Sequence, residues 1–300
     1  MKTLNILTAR NSKLFFKDKG LFFSSMITPI ILLVLYVTFL ANVYKDSFTM
    51  SMPEGFNVPE KLIDATVGAQ LLSSLLAVCC ITIAFCSNLI MIQDKFLGSY
   101  RDLTVSPVKS SVLSLSYYIS TALNTMIVCY AACGVAFIYL AFTGWYFTAA
   151  DILYILFDVF LLVMFGTALS SIINSFLSTQ GQASAVGTII SAGYGFICGA
   201  YMPMSQFSEG LRNTLALLPG TYGTSLIRNH TLAGVFREMD SIGFPAEVID
   251  GIRDSIDCNI YLFGNKVQTN ASFAVLLCTV AILIALFVLL NFIRQKRAGK

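Results

Sequence analysis

Charged residues make up only 12% of this 300-residue chain, and histidine occurs once, as His230. A single histidine cannot complete a metal site or a nucleophile–base set, so His230 reads as an incidental polar residue at the outer surface. Neither a G-x-x-x-x-G-K-[ST] phosphate loop nor an H-E-x-x-H zinc motif occurs. The chain therefore carries no nucleotide site of its own, and enzymatic chemistry is not expected of it. Of its eight cysteines, Cys79, Cys80, Cys86, Cys129 and Cys133 fall inside apolar runs, as do Cys198 and Cys278. Only Cys258 has a polar context, so no disulfide framework can be assembled; the cysteines read as small packing residues. No short-period repeat or low-complexity tract is present either.

What fills the chain is apolar residue, 56% of it, with a mean hydropathy of +0.77. Six long runs stand out: Leu21–Ala41, Val67–Ile92, Val112–Phe142, Ile152–Phe176, Ala183–Met202 and Ser272–Ile293. A helix needs about 20 such residues to cross a hydrocarbon core of about 30 Å. The expected fold is an all-α polytopic membrane protein with six transmembrane helices, residues 1–300 forming one transmembrane domain. The first run starts too far into the chain for a signal peptide, has Pro29 inside it and lacks a small-residue cleavage site. It is expected to be retained.

Basic residues set the orientation. Twelve Lys and Arg fall in one set of gaps, among them Lys2, Arg10, Lys95, Arg101, Lys109, Arg294 and Lys300, against Asp18, Asp94 and Asp102. The other set holds seven bases and twelve acids, including Glu54, Asp64, Glu238, Asp240 and Asp257. Both termini are expected in the cytoplasm of a multi-pass plasma (inner) membrane protein. The net +3 averages two unlike faces and gives no reason to expect nucleic acid.

Residues 1–19 predict an interfacial amphipathic helix, with Leu4, Leu7, Leu14 and Phe15 near one face and Lys2, Arg10, Lys13 and Lys17 around it. Tyr44–Thr66, with Pro53, Gly55 and Pro59, reads as a polar outer loop, and 93–111 as the main cytoplasmic loop. Trp145, Tyr146 and Phe147 form an outer aromatic anchor. A short inner turn at 178–182 predicts that spans four and five are antiparallel neighbours. The fifth run is rich in glycine (Gly187, Gly193, Gly195, Gly199), and Gly195 and Gly199 are spaced for one helix face. After Pro203 comes a stretch too weak to span and too apolar for a plain loop, through Leu218 and Pro219. Such backbone survives at membrane depth only under protein cover, which predicts a re-entrant helical hairpin between spans five and six, within an external segment 203–270. Beyond Arg228 the chain turns soluble in character, with an amphipathic helix over Pro245–Ile256. Asp158, two turns into the fourth run, must be paired, protonated or facing water. It reads either as a substrate-contacting or proton-relaying group or as a helix-pairing acid, with Tyr117 or Tyr118 as partner.

Asp94-Lys95-Phe96-Leu97-Gly98-Ser99, continued through Leu103 to Ser106-Pro107-Val108, resembles the loop after the second span in permeases of type-2 ABC exporters. That family's pattern is an acid, three residues, Gly-Thr, then Leu and Ser/Thr-Pro-Val. Here Asp94 replaces Glu, Ser99 replaces Thr and Thr104 replaces Leu. Gly199 through Pro203 is similar to the family's Gly-x-x-x-Pro. Pro219, Thr221, Tyr222 and Arg228 are similar to its Pro-x-Thr-Tyr…Arg; Phe207 and Ser208 stand where a second proline is usual. The resemblance implies that Asp94, Gly98, Ser99, Leu103, Ser106, Pro107 and Val108 form a coupling element docking on a separate ABC ATPase. It also implies that Gly199, Pro203, Pro219, Thr221, Tyr222 and Arg228 form an outer re-entrant gate. ATP and Mg would be bound by that ATPase, with no cofactor in this chain and a second permease, identical or homologous, beside it.

The expected function is the permease subunit of an exporter for an amphipathic substrate, such as a drug, antibiotic, peptide or lipid-linked molecule; no soluble domain for capturing substrate is seen. The alternative is an ion- or proton-coupled secondary transporter using Asp158. Such carriers show paired broken helices, and only the fifth run looks broken. An intramembrane enzyme lacks its residue set.

Overall fold

Apolar runs become helices because a backbone in lipid must satisfy its own N–H and C=O groups. The computed structural model describes residues 2–50, 58–197, 199–201 and 203–298; Pro53, Glu54, Gly55, Cys198, Met202 and Lys300 lie outside them. Helix α1 (Lys2–Lys17) leads to α2 (Lys19–Leu35), which continues through a π turn at Tyr36–Leu40 into α3 (Ala41–Met50). Then come α4 (Glu60–Phe96), α5 (Ser99–Val105), α6 (Ser110–Thr143), α7 (Ala149–Phe176) and α8 (Gln180–Ile197). The chain closes with α9 (Glu209–Ala216), α10 (Pro219–Ser241), α11 (Ala246–Ser255), strands β1 (Ile260–Leu262) and β2 (Asn265–Val267), and α12 (Thr269–Ala298).

Among the described residues, five stretches are long and apolar enough to cross a membrane: Lys19–Asp46, Glu60–Phe96, Ser110–Thr143, Ala149–Phe176 and Thr269–Ile293. The expected fifth run is α8, whose 18 residues rise only about 27 Å and begin on two glutamines. The protein is thus a helical polytopic membrane protein with one small β-hairpin. Phe263 and Gly264 at its tip both have positive φ, 48° and 81°, as a two-residue type I′ turn requires.

Helix α4 is the axis. Its apolar window is 89% buried, against 17% for α12, and α2, α6, α7, α8 and α10 all pack on it. Small polar side chains stitch the centre together. Asn88 Nδ2 donates to Ser170 Oγ (3.2 Å) and Ser171 Oγ (2.8 Å), and Asn124 Nδ2 to Ser87 Oγ (2.9 Å).

Several expectations change. The outer loop is shorter than Tyr44–Thr66: α3 reaches Met50 and α4 begins at Glu60, because Leu62, Ala65 and Ala69 are covered by Leu232, Val235 and Phe236 of α10. Helix α10 itself continues to Ser241, where a soluble stretch is expected from Arg228 onward. After the 178–182 turn α8 packs on α4 rather than on α7. Gly195 and Gly199 do not share a helix face, since Gly199 lies beyond α8 with φ +65°. Gly195 instead faces the Tyr201 ring, which a β-carbon would strike. On α1 the buried stripe is Leu7, Thr8, Asn11 and Phe15; Leu14 is exposed and Leu4 only partly covered.

Candidate functional site

Where α1, α6 and the end of α4 meet, the buried carboxylate of Asp94 is held by Arg10 (2.5 and 2.8 Å) and by the Tyr117 hydroxyl (2.6 Å). That bond to Asp94 holds the Arg10 guanidinium above its ordinary pKa. Lys95 Nζ donates to the backbone carbonyls of Asn174, Ser175 and Leu177 at 3.1–3.5 Å, placing a cation at the negative end of α7. Gly98 then turns the chain with φ +83°, a left-handed conformation glycine adopts freely, and α5 follows. Tyr100, Leu103 and Val108 pack inward against the bundle core, and Ser106 Oγ donates to the Leu103 carbonyl (2.6 Å). The outward apolar side chains are Phe96, Leu97 and Val105, at 64, 73 and 80% exposure. Of the sequence-predicted coupling residues, Asp94 is thus a buried tie between α1, α4 and α6, and Leu103 faces its own bundle. Gly98 and Ser99 are partly covered and Pro107 is exposed.

At the other end of the bundle, Arg228 of α10 is 1% exposed. Its Nη2 donates to Gly199 O (3.2 Å) and Ser74 Oγ (3.3 Å), and its Nη1 to Asp257 O (3.4 Å) and Oδ2 (3.5 Å). Asp257 Oδ2 also accepts from the Met204 backbone N–H (2.8 Å). One guanidinium therefore ties α4, the segment after α8 and the segment after α11. Gly199 fits this junction for two reasons: its φ is left-handed, and a β-carbon would lie 2.7 Å from Asp257 Oδ2. Pro219 opens α10, Thr221 Oγ1 donates to Leu215 O (2.7 Å), and Tyr222 packs on Ala216 and Ile260. Pro203 precedes a short 3₁₀ turn at Met204–Gln206. The structure brings Gly199 and Arg228 together and adds Ser74 and Asp257, which no spacing in the sequence marks.

A seam of charge joins α7 to α10. Asp158, 1% exposed, meets His230 Nδ1 at 2.5 Å, and the Tyr154 ring stacks on His230 with centroids 4.9 Å apart. Asp151 meets Arg237 through both oxygens, one contact at 3.0 Å, and accepts from Thr148 N–H in a capping box. The Arg237 guanidinium is raised by that hydrogen bond. The partner of Asp158 is thus His230, the residue read from sequence as incidental. Tyr117 serves Asp94, and Tyr118 stacks on Phe287. A signal was available: Asp151 and Asp158 are seven apart, and so are His230 and Arg237, as two antiparallel helices paired 151 to 237 and 158 to 230 require.

Residues 2–231 match the family model described as ABC-2 type transporter. No curated protein matches the chain.

Proposed function

The chain belongs to the ABC-2 type transporter family, and from that premise we propose that it is the permease subunit of an ATP-driven exporter. It works with a separate ATPase subunit, which binds ATP and Mg, and with a second permease, identical or homologous. Its substrate is amphipathic. Helix α8 serves as the fifth of six spans, and residues 199–218 act as a re-entrant outer cap anchored by Arg228.

One observation carries the reading: α5 and its approach present Phe96, Leu97 and Val105 uncovered on a connection anchored by Lys95 and turned at Gly98. A subunit with no phosphate loop must receive ATP-driven movement through a contact, and bare apolar side chains are what an interface core buries. Asp158, on which the carrier alternative rests, is tied within the chain to His230 and so joins α7 to α10.

The test is reconstitution of the full chain with its ATPase subunit. Leu97→Asp and Val105→Asp, both at exposed positions, are expected to cut substrate-stimulated hydrolysis by roughly tenfold or more, the effect of losing an interface anchor. Leu103→Ala should instead lower thermal stability. Wild-type hydrolysis and export from both charge variants would remove the coupling role.

A further inference from the structure

A groove of about 730 Å³ runs between α2, α4 and α6, within the roughly 300–1,000 Å³ typical of ligand sites. Every side chain lining it is apolar except for the hydroxyls of Tyr36 and Tyr139 at one end. Phe16 and Phe22 line the opposite end, Leu75 lies on its α4 wall, and Ile127 and Val135 line α6 while remaining 55 and 69% exposed. Away from those two hydroxyls nothing in the lining gives water the polar partners it needs to stay. From Phe22 to Tyr36 the helix rises about 21 Å, more than the roughly 15 Å of hydrocarbon in one leaflet.

The Phe16–Phe22 end differs in charge from the rest. Lys17 and Lys19 lie on the chain between those two rings, both exposed, with Lys13 one turn earlier. Among the described residues none of the three has an ion pair. The intervening Asp18 is occupied as the cap of α2, its Oδ1 accepting from Leu21 N (3.0 Å). An apolar slot of acyl-chain length that ends at unpaired cations matches one kind of molecule.

We propose that this groove is a specific site for an acyl chain of an anionic bilayer phospholipid, its phosphate held at Lys17 and Lys19. The site needs neither the transport direction nor the ATPase partner to be as proposed above, because its readout is binding.

The test uses the purified full chain in phosphatidylcholine vesicles doped with phosphatidylglycerol bearing a mid-chain diazirine. Photolabelling should concentrate on the α6 peptide holding Ile127–Ala136, with on the order of tenfold preference over the matching phosphatidylcholine probe, given two bases beside the head group. Lys17→Glu with Lys19→Glu should abolish the preference and leave only the phosphatidylcholine level. Ala132→Phe, which fills the slot, and Val135→Trp, which covers it from an exposed position, should each remove the α6 label. Equal labelling by the two probes overturns the proposal. So does label spread evenly over α6, α8 and α12, which is annular lipid only, or label unchanged in both filling variants.

Discussion

Among the described residues Arg228 is the largest side chain to be almost wholly buried, and a buried guanidinium is stable only where acceptors surround it. Its acceptors sit on three separate segments, which explains why lysine is a poor substitute: a compact ammonium lacks the planar fork that reaches them together. Both Arg228→Lys and Arg228→Gln are expected to lose about 3–5 kcal/mol, seen as a lowered thermal midpoint in detergent. Asp257→Asn should lose less than either, because the amide oxygen can still accept from Met204 N–H. Cys258 offers a second residue-scale test. Burial pushes its thiol up to about 12, and reactivity follows the thiolate fraction. It should therefore resist maleimide at pH 7.5 in folded protein and react once the protein is denatured. Labelling at the rate of an exposed thiol would contradict the buried outer core of Phe236, Met239, Ile252 and Cys258.

Between α7 and α10 the two acid–base pairs differ in environment and should differ in strength. Asp158 and His230 have side-chain exposures of 1 and 22%, whereas Arg237 is half exposed. A double-mutant cycle with Asp158→Asn and His230→Gln should give a coupling of about 1–3 kcal/mol. The Asp151→Asn and Arg237→Gln cycle should give less than about 1 kcal/mol, the range of solvent-screened pairs. Equal couplings from denaturant unfolding would show that burial does not rank them. The same helix pair marks the limit of what the sequence disclosed. Runs that meet lipid, as in α6 and α12, were readable because lipid demands apolarity on every outward face. Helix α10 was not: protein surrounds it on several sides, so Gly220, Thr221, Gly223, Thr224 and Ser225 are buried in a segment that reads as polar. The start of α4 was missed for the same reason, its cover being α10. Loop motifs drew attention to the connection around α5 and to Arg228, but not to which α5 side chains face outward, since seven residues of helix turn on the packing of Tyr100 and Leu103. Asp257 stood 29 residues from Arg228, brought back only by the fold of α11 and the β-hairpin.

Orientation belongs to the whole molecule. The Arg10–Asp94 contact joins α1 to the end of α4, so the basic N-terminal helix and the basic connection around α5 lie at the same end of the bundle. At the far end stand Arg228, α11 and the hairpin, in the segments where acids outnumber bases. The positive-inside bias then predicts that α11 is external and the end of α12 cytoplasmic. Two single cysteines make this measurable, Glu247→Cys on the exposed face of α11 and Lys296→Cys beyond the last candidate span. The described native cysteines give little background, because Cys79, Cys80, Cys86, Cys129, Cys133 and Cys258 are buried and Cys278 lies within the candidate span Thr269–Ile293; Cys198 is replaced by Ala in both variants. In sealed cells a membrane-impermeant maleimide should label position 247 and spare 296, and permeabilisation should expose 296. Label at 296 alone would invert the molecule and set α5 outside, away from any ATP; label at both before permeabilisation would require an even number of crossings between them.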